Sequence, residues 1–97
     1  MKRYLYLHYG FEQPTQEIMD KWGQWFEHIN PYIVDRGSHF PFGKEVSAEG
    51  VKELPLGSDS ITGYNIIEAE DMNQALKLAE GNPFIKSIRI YELMSEN

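Results

Sequence analysis

From Tyr4 to Tyr9 the chain is dense in aromatic and aliphatic residues and is halted by Gly10, a pattern that predicts a buried strand. After Pro14 and Thr15, apolar residues fall at Ile18, Trp22, Trp25, Phe26 and Ile29. These spacings bring them onto one face of a long amphipathic helix. Asn30-Pro31 should interrupt it, because a residue before proline is pushed out of the helical region. Proline itself suits the first position of a new turn, so a short helical piece from Pro31 to Asp35 is expected to end at Gly37. His39 to Val46 mixes aromatics with proline and glycine and predicts an irregular or edge strand at best. Glu49 to Ser60, with Gly50, Pro55 and Gly57, predicts a loop with a short extra strand.

The second half is more regular. Tyr64 to Ala69 predicts a strand, and Asp71 a helix N-cap, with Gln74 three residues on in a capping-box arrangement. Met72, Ala75, Leu76 and Ala79 form the apolar stripe of that helix. Gly81 fits the left-handed position that closes it, and Pro83 prevents its continuation. Ile85 to Leu93 supplies a last strand, with Ile88 and Ile90 alternating against Arg89 and Tyr91.

The order β-α-β-β-α-β predicts an α+β fold of ferredoxin-like type, an antiparallel sheet with both helices on one face, in a single domain spanning residues 1–97. With Leu5 and Leu7 turned toward the helices, Tyr4, Tyr6 and His8 fall on the bare face, joined by Arg89 and Tyr91. A bare face of that kind is too apolar for open water. It predicts an isologous homodimer, two sheets laid face to face with a partly polar cavity between them.

Charge narrows the partners. The chain carries 15 acidic and 9 basic residues, net −6, so its field repels phosphate backbones and anionic lipid, and neither nucleic acid nor membrane is an expected partner. Cysteine is absent, which removes disulfides, thiolate nucleophiles and thiolate metal sites. The opening MKRYLYLHYG has too short and too polar an apolar run for a signal segment, so a soluble cytoplasmic protein is expected.

Histidine occurs at positions 8, 28 and 39. His8, near the end of the first strand, is the candidate general base, since a neutral imidazole titrates near working pH; an interface histidine with a packing role is the competing reading. His28 should face solvent. His39 precedes Phe40-Pro41-Phe42-Gly43, a run that serves either as a lid over a cleft or as a wrapped edge. Asp59 is a candidate polar catalytic partner that Tyr64 could meet, although an Asp in a Gly-Ser-rich run commonly serves a turn. Tyr6 and Tyr64 are candidate hydrogen-bond donors and Asn82 a polar positioner. No His-x-x-x-His spacing suggests a metal, and no G-x-G-x-x-G or P-loop suggests a nucleotide, so no cofactor is expected. The two tryptophans, three residues apart, read as core packing.

W-G-x-W in the first helix, then ITGYNIIEAEDMNQALKLAEGNPF and SIRIYEL, make the chain similar to the YCII-related, or DGPF-domain, family over nearly its whole length. The resemblance is strongest from Thr62 to Tyr91. It implies a ferredoxin-like domain paired into a dimeric α+β barrel, with a cleft as active site. Shorter family members carry a suggested His–Asp pair, the Asp just before the proline that follows the second helix; here Asn82 stands at that position. Where longer members carry Asp-Gly-Pro-Phe, this chain has VKELPLGSDS. Two functions are therefore expected as alternatives. One is an enzyme acting on a small aromatic or lactone-like metabolite with His8 as base, and the other a non-catalytic dimeric module that binds a small molecule or serves as an accessory.

Overall fold

The structure, a computed structural model, describes residues 1–94. Strand β1 (Lys2–Tyr9) leads into helix α1 (Gln16–Ile29), whose first turn is closed by Thr15: its Oγ1 accepts from the Ile18 amide at 3.2 Å. A single turn of 3-10 helix over Asn30–Tyr32 carries Pro31, and strand β2 (Ile33–His39) follows at once. The helical piece expected to reach Asp35 is thus cut to one turn. Ile33 starts pairing with Ile67 instead, because a β-branched run beside an open sheet edge gains more from the ladder than from a short helix.

Strands β3 (Gly43–Ser47) and β4 (Gly50–Leu54) form a hairpin of their own, a two-stranded sheet separate from the main one. The strand expected within His39 to Val46 and the short extra strand expected after Glu49 are both present, and their pairing with each other is what the pattern did not reveal. Val46 faces Val51 across this hairpin, both are exposed, and Lys44 pairs with Glu53 at 3.2 Å. The projecting hairpin gives a radius of gyration of 14.6 Å, above the about 12.5 Å usual for a chain of this length.

Strand β5 (Ile61–Ala69), helix α2 (Met72–Ala79) and strand β6 (Ser87–Glu92) complete the chain. Asp71 caps α2 by accepting from the Gln74 amide at 2.8 Å, and Gln74 Oε1 accepts from the Glu70 amide at 2.6 Å. Eight residues are too few for a helix to persist alone, so this cap and the packing of Ala75 and Leu78 hold it. Leu78, not Leu76, completes the buried stripe; Leu76 is exposed.

The main sheet is antiparallel throughout, in the order β2-β5-β1-β6. Its helix-covered face carries Tyr4, Tyr6 and His8, which reverses the facing expected for β1. Tyr6 donates its hydroxyl to the Ala75 carbonyl at 2.5 Å, and Trp25 Nε1 donates to the Leu78 carbonyl at 2.9 Å, so α2 is bound to both β1 and α1. The reason lies across the register. Tyr4, Tyr6 and His8 oppose Ile67, Asn65 and Gly63, and the small residues Gly63 and Ala69 leave space under the helices for large rings. The bare face carries Leu5 and Leu7, with Tyr91 and Arg89 directly opposite them on β6. Arg89 lies 4.2 Å above the Tyr9 ring on that face.

Candidate functional site

Strand β2 departs from regular pairing twice. Its register shifts between Ile33 and Asp35 and again between Asp35 and Ser38. Four residues on β2, from Asp35 to Ser38, span three on β5, from Ile66 to Tyr64, the signature of an inserted residue that re-aims side chains. Gly37 sits in this bulge with φ +73°, and a Cβ there would lie 1.6 Å from the Tyr64 carbonyl oxygen, so no other residue fits. In an unbroken strand, residues three apart point to opposite faces. The bulge instead puts Arg36, its Cζ 5.1 Å from the centre of the Phe26 ring of α1, and His39, which pairs with Gly63, on the same helix-covered side.

A cavity of about 250 Å³ opens at this point between the sheet and α1. His8 and His39 line it from β1 and β2, with Gly63 between them on β5; Trp22 and Phe26 close it from α1, and Arg36 stands beside Phe26. The row His8, Gly63, His39 crosses three adjacent strands. Because Gly63 has no side chain, the floor between the histidines stays open: a Cβ there would come within 2.8 Å of the Ser38 carbonyl oxygen and 3.7 Å of His39 Nδ1.

His8 is the most constrained member. Its Nε2 lies 2.8 Å from Asn65 Oδ1, and its ring meets Trp22 and Trp25 edge-on at 5.2 and 5.9 Å. With the Asn65 oxygen toward the ring, Nε2 carries the proton and Nδ1 holds a lone pair. Nδ1 is buried and has no hydrogen-bond partner among the described residues. Burial pushes the imidazole pKa below its ordinary value, the Asn65 bond opposes that shift, and His39 adds to it, so His8 is neutral near pH 7. A neutral imidazole with one nitrogen anchored and the other bare is equipped to accept a proton.

The other expected site residues divide. His39 joins His8 at the cavity. Tyr64 borders it through its place on β5, but its hydroxyl donates to Asp35 Oδ2 at 3.3 Å and its ring stacks on Phe40. Asp35 beside that hydroxyl raises the Tyr64 pKa. Asp59 does not meet Tyr64. It lies in the loop before β5 and pairs with Lys86, which lowers its carboxyl pKa, and it borders a broad open groove beside the hairpin. Tyr6 is a core residue whose hydroxyl is committed to α2 and whose pKa burial raises. Asn82 is buried just beyond α2, away from the cavity lining, and neither polar atom of its carboxamide has a partner among the described residues.

Arg36, Gly63 and Trp22 escaped the reading of the chain. Two signals pointed to them: Gly37 next to Arg36 within what proved an edge strand, and Gly63 directly before the run from Tyr64, in a strand that proved to begin at Ile61, where a missing side chain marks a close approach or a space. Trp22 keeps the helical spacing of a core residue yet is only half-buried, because the cavity takes the place of its packing partner.

Among the described residues, no group of three or more histidine, cysteine or carboxylate side chains is placed to hold a metal ion, and no helix is long and apolar enough to cross a membrane. No protein-family model matches the chain, and no curated protein matches it in sequence. The fold and cavity define a small α+β domain with a cavity lined by two histidines under its first helix.

Proposed function

We propose that this domain is a small-molecule enzyme in which His8 acts as general base through Nδ1. The observation that carries the reading is the unpartnered, buried Nδ1 of a neutral imidazole that lines a cavity and is fixed by Asn65 on its other side. Buried polar atoms are nearly always satisfied in folded proteins, and exceptions cluster where chemistry is done. At about 250 Å³ the cavity lies below the range of about 300–1,000 Å³ usual for drug-sized ligands, so a compact metabolite fits best. The aromatic walls favour a flat one, aromatic or lactone-like. A non-catalytic binding module remains the second reading, favoured by Asn82 where YCII-related proteins carry an Asp.

The strand order supports a ferredoxin-like domain of the YCII-related kind, and the bare face supports a homodimer. Leu5, Leu7, Tyr9 and Tyr91 stand on that face with no covering layer among the described residues. In this proposal the dimer buries the bare face, while each protomer keeps its own cavity on the helix-covered side. The site is then independent of the partner sheet.

Turnover of a panel of small aromatic and lactone substrates by the wild type and by His8→Gln tests the catalytic role. The variant keeps a polar group near Asn65 and is expected to lose turnover of any substrate the wild type converts; equal rates would sink the assignment. Sedimentation of wild type and Leu7→Glu tests the dimer, which the buried charge is expected to split.

A further inference from the structure

Resting on the reading of the His8 cavity as a ligand site, we infer that its ligand is a small planar monocarboxylate, with its charged end on Arg36 and its flat body against Trp22. Charge at the cavity runs opposite to charge over the chain. The sequence carries 15 acidic residues and net charge −6, yet no carboxylate lines the cavity. Among the described residues Arg36 has no ion-pair partner. Its neighbour Asp35 is engaged elsewhere, accepting from the Gly37 amide at 2.8 Å and from the Tyr64 hydroxyl at 3.3 Å.

The guanidinium lies over the Phe26 ring and stays open to solvent. With its Cζ 5.1 Å from the Phe26 ring centre and no ion pair among the described residues, the group keeps N–H donors that can meet a carboxylate with two parallel bonds. The bulge at Gly37 is what brings Arg36 to this side of the sheet together with His39. A glycine-only bulge that re-aims one arginine toward the cavity sets an exposed, unpaired cation at its mouth. One guanidinium beside a neutral His8 balances a monoanion and leaves a dianionic phosphate half-neutralised. Trp22 and the edge of His8 supply apolar walls for a flat ring, and the open floor at Gly63 gives it depth.

Titration of the uniformly ¹⁵N-labelled protein with sodium benzoate, and separately with benzamide, tests this. The two probes share shape and differ in charge, and the Gly37 and Gly63 amides report the cavity. Benzoate is expected to bind about ten- to a hundred-fold more tightly than benzamide, the range of a charge-assisted hydrogen bond. Arg36→Gln should bring the two affinities together, and Arg36→Lys, which keeps the charge without the fork, should restore part of the preference. Amide shifts elsewhere in the sheet that match wild type show that both variants fold. Equal binding of the two probes at Gly63 would overturn the carboxylate inference and leave the cavity as a ligand site. Silence of both amides with both probes would overturn the cavity reading and the inference with it.

Discussion

His8 Nε2 and Asn65 Oδ1 lie 2.8 Å apart between neighbouring antiparallel strands, both residues buried. The two are not directly opposed: Asn65 faces Tyr6 and His8 faces Gly63, so the bond runs diagonally across the ladder. That diagonal is available because Gly63 offers no side chain to intervene. It fixes the ring plane and, with the carbonyl oxygen facing Nε2, leaves Nδ1 bare.

Replacing Asn65 with Leu should therefore cost more than one lost hydrogen bond. Both imidazole nitrogens would be buried without partners, and a loss of about 1–3 kcal/mol is expected. Urea unfolding of the variant against wild type reads it directly. A midpoint equal to wild type would mean that the bond holds nothing in place.

His8 also ties stability to pH. Its pKa in the folded protein is lowered, chiefly by burial, from an ordinary value of 6.5. The unfolded chain thus binds a proton there that the folded chain resists. The contribution is fully present above about pH 6.5 and is lost as pH falls toward the lower folded value. Wild type should have a lower urea midpoint at pH 5.5 than at pH 7.5, and His8→Gln should show a smaller difference between the two. The same difference in both proteins would remove His8 as its source.

Two glycine substitutions should move in opposite directions. A Cβ at Gly37 would strike the Tyr64 carbonyl at 1.6 Å with φ at +73°, so Gly37→Ala is expected to cost at least about 2–3 kcal/mol, through strain and loss of the β2–β5 bulge. Gly23 is exposed in the middle of α1, with nothing within 4 Å of the place a methyl would take, and Gly23→Ala should stabilise by about 0.5–1 kcal/mol. Thermal unfolding of the pair decides it.

Tyr6 separates core from site. Tyr6→Phe removes the donor to the Ala75 carbonyl and should lower stability by about 1 kcal/mol, yet leave benzoate binding unchanged. Weakened binding in a folded Tyr6→Phe protein would return Tyr6 to the site.

Much of the architecture was legible because several signals agreed. The spacing of Trp22, Trp25 and Ile29, the cap at Asp71 and the glycine after α2 each identify one element without help from the rest of the chain. The facing of β1 was not legible. Tyr-Leu-Tyr-Leu-His presents apolar bulk on both faces, so alternation gives no sign of which side is covered, and the choice rests on small residues of β5 more than fifty positions away. His8 could be selected as a rare titratable group at a strand end, whereas Arg36 depended on two register shifts in an edge strand, which no local pattern encodes.

The proposed chemistry requires a neutral His8 with Nδ1 bare. A two-bond ¹H–¹⁵N correlation spectrum of the histidine rings at pH 7 tests it most directly, since the ring nitrogen shifts report charge and tautomer together. A neutral His8 protonated on Nε2, resisting protonation until the pH is below the ordinary histidine range, is the expected result. A His8 that is charged at pH 7, or neutral with its proton on Nδ1, would contradict it.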